Sequence, residues 1–70
     1  MANLESPLAG KVVEILIEVG QQVKEDDEVF IIDAMKMENP VYSETGGTVK
    51  EIKVKQGDQV AEGQVLAVVE

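Results

Sequence analysis

The chain repeats itself with a shift of 37 residues, and this limits its possible folds more than any other feature. "SPLAGKVVEILIEVGQQVKEDDEVFIID" (6–33) aligns without a gap to "SETGGTVKEIKVKQGDQVAEGQVLAVVE" (43–70). Nine of the 28 pairs are identical: Ser6/Ser43, Gly10/Gly47, Val12/Val49, Glu14/Glu51, Ile15/Ile52, Gly20/Gly57, Gln22/Gln59, Val23/Val60 and Glu25/Glu62. Two copies are too few for a solenoid, which needs about three units. They suffice for a closed domain with pseudo-two-fold symmetry. At 70 residues there is material for one core only, so the expectation is a single domain over 1–70.

Each copy reads as strands. In "VVEILIEV" (12–19) Ile15 and Ile17 share one face while Glu14 and Glu18 share the other, the period of a half-buried strand. "VKEIKVK" (49–55) repeats the pattern, with Ile52 and Val54 inward and Glu51, Lys53 and Lys55 outward. Both segments end at glycine turns, Gly20-Gln21 and Gly57-Asp58, where positive φ is expected. A short piece around Val23 or Val60, a polar turn and an apolar run follow. A helix over 21–38 is disfavoured, because the matching stretch holds Gly63 and the runs are rich in β-branched residues. Pro40 marks an edge strand or a bulge. The reading is an all-β flattened barrel or sandwich of about eight short strands, in two antiparallel four-stranded sheets.

Composition removes several classes of function. The chain has no cysteine and no histidine, so disulfides, thiolate chemistry and the commonest general base and metal ligand are absent. With no Trp, one Tyr and one Phe, it has no stacking platform for single-stranded nucleic acid. Its net charge of −8 repels phosphate backbones and anionic membranes. No stretch has the length of a membrane span, and "MANLESPLAG" lacks the features of a signal peptide. The expectation is a soluble cytoplasmic protein, not an enzyme by itself, without nucleic-acid binding or direct membrane insertion. "KEDDE" (24–28) lacks the spacing and glycine of a calcium loop and reads as a solvated turn. Gly46-Gly47 lacks the context of a phosphate loop. The lysines at 11, 24, 50, 53 and 55 read as surface charge.

Residues 34–42, "AMKMENPVY", link the two copies. A tight hairpin at Met35-Lys36 is the shortest way to pair "FIIDA" with "MENPVY" antiparallel. Lys36 then stands at one tip of the domain and the chain ends near the other. A lysine at a tip is ordinarily just solvated. Two methionines beside it leave soft apolar surface at a turn, which suits docking by partner proteins.

"SPLAGKV", "VGQQVKEDDEV", "DAMKMEN" and "ETGGTVKEIKVKQGDQVAEGQVL" together resemble the biotinyl domain of biotin-dependent carboxylases, decarboxylases and transcarboxylases, within the biotinyl/lipoyl carrier superfamily. The resemblance covers essentially the whole chain, and "AMKM" is its most specific part. It implies that the covalent cofactor is biotin, joined to Lys36 by a biotin protein ligase, with Ala34, Met35 and Met37 as the recognition frame. Asp33 and Glu38 would help to orient the ligase. Asp33 departs from the Glu usual in the family while keeping the charge. It further implies a hammerhead barrel whose partners are a biotin carboxylase and a carboxyltransferase or decarboxylase subunit, between which the carrier shuttles a carboxyl group.

The gapless repeat leaves no room for the "thumb" insertion of many acetyl-CoA carboxylase carriers, so the resemblance is to the thumbless type. That points to carriers of pyruvate, propionyl-CoA, oxaloacetate or methylmalonyl-CoA systems. No Ala/Pro-rich linker precedes the motif, as expected of a free-standing carrier or of a fragment. Two alternatives stay open: a lipoyl carrier, which usually has Asp-Lys where this chain has Met35-Lys36, and an unmodified protein-interaction module.

Overall fold

The structure, a computed structural model, describes residues 2–70, so only Met1 of the expected domain lies outside it. Eight strands follow in order: β1 Ala2–Glu5, β2 Gly10–Ile15, β3 Gln22–Val23, β4 Glu28–Ala34, β5 Met37–Tyr42, β6 Gly47–Ile52, β7 Gln59–Val60 and β8 Val65–Val69. They form two antiparallel four-stranded sheets, β1-β8-β6-β3 and β5-β4-β2-β7. The described residues contain no helix, and none is therefore long and apolar enough to cross a membrane.

The sequence repeat becomes a structural one, pair by pair. Ala2↔Val69, Asn3↔Val68 and Leu4↔Ala67 correspond to Asn39↔Ile32, Pro40↔Ile31 and Val41↔Phe30. Lys11 and Gly10 meet Gln59 and Val60 as Thr48 and Gly47 meet Gln22 and Val23. Each sheet is thus built from both copies. A short strand of one copy closes the edge of the sheet that carries the other copy's long strands. Pro40 lies on edge strand β5, where a missing N–H does least harm.

Register shifts recur at matching places, between Val12 and Glu14 and between Val49 and Glu51. Each is a bulge that changes which parity faces inward. Val12 is buried before the shift, while Ile17 is buried and Ile15 half-buried after it. The strands are accordingly shorter than their alternating patterns: β2 stops at Ile15 and β6 at Ile52, although Ile17 and Val54 still reach the core.

Val12, Val29, Phe30, Ile32, Val49, Leu66 and Val69 fill the centre between the sheets. Two serines are buried with them, and each hydroxyl donates to a nearby carbonyl, Ser6 to Leu8 and Ser43 to Thr45. Among the described residues no buried side-chain N or O lacks a partner. That matters in a chain of this size, whose core leaves little stability to spare.

Four turns share one design. The side chain of the fourth residue accepts from the backbone N–H of the first: Gln21 from Glu18, Asp27 from Lys24, Asp58 from Lys55 and Gln64 from Ala61, at 2.9–3.0 Å. The third residue has positive φ in every case: Gly20 at 93°, Asp26 at 73°, Gly57 at 95° and Gly63 at 85°. "KEDDE" is one of these turns, with the Asp27 carboxylate engaged by the backbone.

Candidate functional site

The link between the copies is a two-residue hairpin. Asp33 pairs with Glu38 and Ala34 with Met37, which leaves only Met35 and Lys36 in the turn. Their φ angles are 52° and 62°. Positive φ at both central positions is the type I′ geometry, whose twist matches that of the flanking strands. Asn and Gly usually fill such turns, because a β-carbon in the left-handed region costs roughly 1–2 kcal/mol per residue. Here the β4–β5 pairing holds two ordinary side chains in that region. Strain at a loop tip of this kind is a feature of functional sites.

The turn lifts its side chains clear of the sheets. Met35 is 92% exposed and Met37 66% exposed. Lys36 is exposed and makes no hydrogen bond or ion pair with another described residue. Exposed methionines on both sides of a cation give the tip a flexible, polarizable apolar surface around one charge. Asp33 is half-buried and Glu38 exposed, and neither is within ion-pair distance of Lys36.

Below the tip, Ala34 is half-buried against β2. A β-carbon on Gly10 would come within 3.2 Å of the Ala34 Cβ and 2.5 Å of the Asp33 carbonyl oxygen. Gly10 therefore lets β2 approach the end of β4 closely enough to brace the hairpin from one side. On the other side, the Asn39 side chain donates from Nδ2 to the Met37 carbonyl at 3.0 Å, with a longer contact to the Ile32 carbonyl at 3.4 Å.

The six residues singled out in sequence, Asp33, Ala34, Met35, Lys36, Met37 and Glu38, are thus brought together in one hairpin. Gly10 and Asn39 were not singled out, although both bear on its geometry. For Gly10 the signal was identity with Gly47 across the repeat; for Asn39 it was the lack of any such match, since its counterpart is Ala2. Among the described residues no cluster of three or more acidic groups has metal-binding geometry.

Residues 2–69 match a family model described as that of biotin-requiring enzymes, the biotin/lipoyl family. The chain is 42% identical over 59 residues to a biotin/lipoyl attachment protein of Bacillus subtilis, covering 84% of this chain and 81% of that one. It is 45% identical over 60 residues to the dihydrolipoyllysine-residue acetyltransferase component of a Mycoplasma genitalium pyruvate dehydrogenase complex, spanning 86% of this chain but 16% of that protein. Carboxylase subunits of bacteria, plants and mammals match it as well, and it spans no more than about a tenth of each. Its structure resembles that of the Kluyveromyces lactis urea carboxylase, with a TM-score of 0.91 and 36% identity over 99% of this chain and 6% of that one. The exposed lysine hairpin and the two interlocked sheets accompany these likenesses, and the chain belongs to the biotin/lipoyl family.

Proposed function

We propose that the chain is a biotin carboxyl carrier in which biotin is joined through an amide to Nζ of Lys36 by a biotin protein ligase. The observation that carries the reading is the tip: one exposed lysine with no hydrogen bond or ion pair among the described residues, standing between methionines that are 92% and 66% exposed. Acylation by a second enzyme requires an amine that the enzyme can surround. With strand pairing ending at Ala34↔Met37, Met35 and Lys36 project beyond the ladder and meet that requirement.

The rest of the chain divides the labour around that amine. Among the described residues no side chain makes a hydrogen bond or ion pair with Lys36 through which to take its proton, so activation of the acyl group falls to the ligase. Ala34 keeps the entry to the turn low. Met35 and Met37 offer apolar surface to the ligase, and afterwards to the carboxylase sites. Held on Lys36, biotin would supply a ring nitrogen able to carry a carboxyl group between active sites. Amide formation removes the Lys36 charge, so the tip enters a closed site without the cost of desolvating an ammonium. The chain presents and carries; the catalytic groups belong to a biotin carboxylase and to a carboxyltransferase or decarboxylase. Tethering to those enzymes would raise the effective concentration of the carried group toward the mM scale of short flexible linkers.

A second reading, the lipoyl carrier, is favoured by the similarity to the acetyltransferase component. Intact-mass measurement tests both. The protein is incubated with ATP and either a biotin protein ligase and biotin or a lipoate protein ligase and lipoate, beside Lys36→Arg. A single biotinyl adduct that Lys36→Arg abolishes is the expected result. Modification by the lipoate ligase alone would replace the biotin reading with the lipoyl one. An unmodified mass in both arms would leave an interaction module.

A further inference from the structure

We infer that Asn39 is a positioning residue for Lys36: its side-chain amide, by holding the Met37 carbonyl, fixes the exit of the turn and hence the direction in which the lysine projects. The inference rests on the reading of Lys36 as the acylated residue. It starts from the geometry of β5. Met37, Asn39 and Val41 alternate onto one face of that strand. Burial falls along this face toward the tip, from Val41 at 4% exposed, through half-buried Asn39, to Met37 at 66%. Asn39 is therefore the last anchored residue before the turn. From there Nδ2 reaches back two residues to the Met37 carbonyl at 3.0 Å.

A carbonyl oxygen has two lone pairs, so it can take this donor in addition to any strand-pairing partner. The same amide lies 3.4 Å from the Ile32 carbonyl on the paired strand, which sets it across the base of the hairpin. Both central turn residues hold the left-handed conformation without glycine, and Met37 follows directly. A peptide unit free to rotate at Met37 would let that strain relax and would spread Lys36 over many directions.

The matching place in the other sheet lacks this amide. The pair Asn39↔Ile32 corresponds under the repeat to Ala2↔Val69, where an alanine serves in the same register and the same kind of edge strand. The donor is present on the strand that leaves the lysine turn, and alanine stands at the matching position of β1.

The test uses Asn39→Ala and Asn39→Asp, the second keeping the shape while an ionised carboxylate has no donor. If only a fraction of molecules holds the lysine correctly, the apparent KM for the carrier in ligase-catalysed biotinylation rises by the inverse of that fraction, while kcat is unchanged. The expected effect is a KM about 3- to 10-fold higher in both variants, with kcat within about twofold of the parent, from the usual worth of one hydrogen bond. NMR supplies a readout independent of modification. The Lys36 and Met37 amide signals should move toward random-coil positions in both variants. In Asn39→Asp they should return toward the parent positions as pH falls through about 4, where the carboxyl regains an O–H donor.

Unchanged KM and unchanged Lys36 and Met37 signals would overturn the inference. So would an equal loss of kcat and thermal stability in both variants, which marks a role in the barrel alone. Failure of the parent protein to accept biotin would remove the biotin reading. The NMR comparison would still decide whether Asn39 orders the turn.

Discussion

Asp26 and Gly63 occupy the same turn position in the two halves, at φ 73° and 85°, one with a β-carbon and the other without. The surrounding hydrogen bonds are alike: Asp26 N–H donates to the Ser43 carbonyl and Gly63 N–H to the Ser6 carbonyl, each at 2.8 Å. The second copy thus relieves a strain that the first retains. Asp26→Gly is expected to stabilise the protein by about 0.5 kcal/mol, the strain relieved less the added backbone entropy of glycine. For a chain of this size that is a Tm increase of roughly 2–4 °C. Gly63→Ala should lower Tm by roughly 4–8 °C. Asp26→Ala removes the charge while keeping a β-carbon at positive φ, and if it raises Tm as much as Asp26→Gly the strain account fails.

Gly10 is needed for closeness, and Gly47 for closeness together with a φ of 155° that side chains rarely adopt. A β-carbon at Gly10 would sit 2.5 Å from the Asp33 carbonyl oxygen, and one at Gly47 would sit 2.5 Å from that of Glu70. Backbone cannot move aside as a side chain can, so each Gly→Ala change is expected to cost about 1–3 kcal/mol. At Gly46 the nearest atom to an added β-carbon is 3.4 Å away, and Gly46→Ala should cost no more than about 0.5 kcal/mol. Urea midpoints of the three variants give the comparison. Similar midpoints for Gly46→Ala and Gly10→Ala would contradict it.

The pseudo-symmetry was legible because nine identical pairs survive at one spacing, and glycines and serines are prominent among them. Those residues hold the turns and the close crossings, where few side chains substitute. The lysine hairpin was legible because it lies outside both copies. What did not show in sequence depends on pairing between distant strands. The bulge after Val12 is a matter of register against β4, and no local pattern marks it. Asp26 looked like one of four acids in a polar turn, whereas its backbone takes a glycine's conformation. Asn39 looked like a strand residue, since its partners become apparent only when β5 folds back on β4.

A net charge of −8 on 70 residues stores self-repulsion that unfolding relieves. The ion pair Lys53–Glu51, at 3.2 Å, has both side chains about half exposed and offsets little of it. Raising NaCl from about 10 mM to about 150 mM shortens the screening length from about 30 Å to about 8 Å. Tm should rise over that range by roughly 2–5 °C. Calorimetry at fixed pH measures this directly, and a Tm that falls on adding salt would show that attractive pairs outweigh the repulsion.

Met35 separates stability from function, because its two properties pull in opposite directions. Its backbone at φ 52° favours asparagine, while its 92% exposed thioether is the largest piece of apolar surface beside Lys36. Met35→Asn is therefore expected to stabilise the hairpin by about 0.5–1 kcal/mol and, if the methionine is part of the recognition frame, to slow biotinylation or carboxyl transfer at least threefold. Met37→Ala, at a paired strand position without positive φ, should leave Tm nearly unchanged and still slow the reaction. Melts and initial rates on the same samples decide both halves. A lower Tm in Met35→Asn would refute the strain argument. A higher Tm with an unchanged rate would show that the methionine surface plays no part in docking, and would leave the amine of Lys36 as the feature that partner enzymes read.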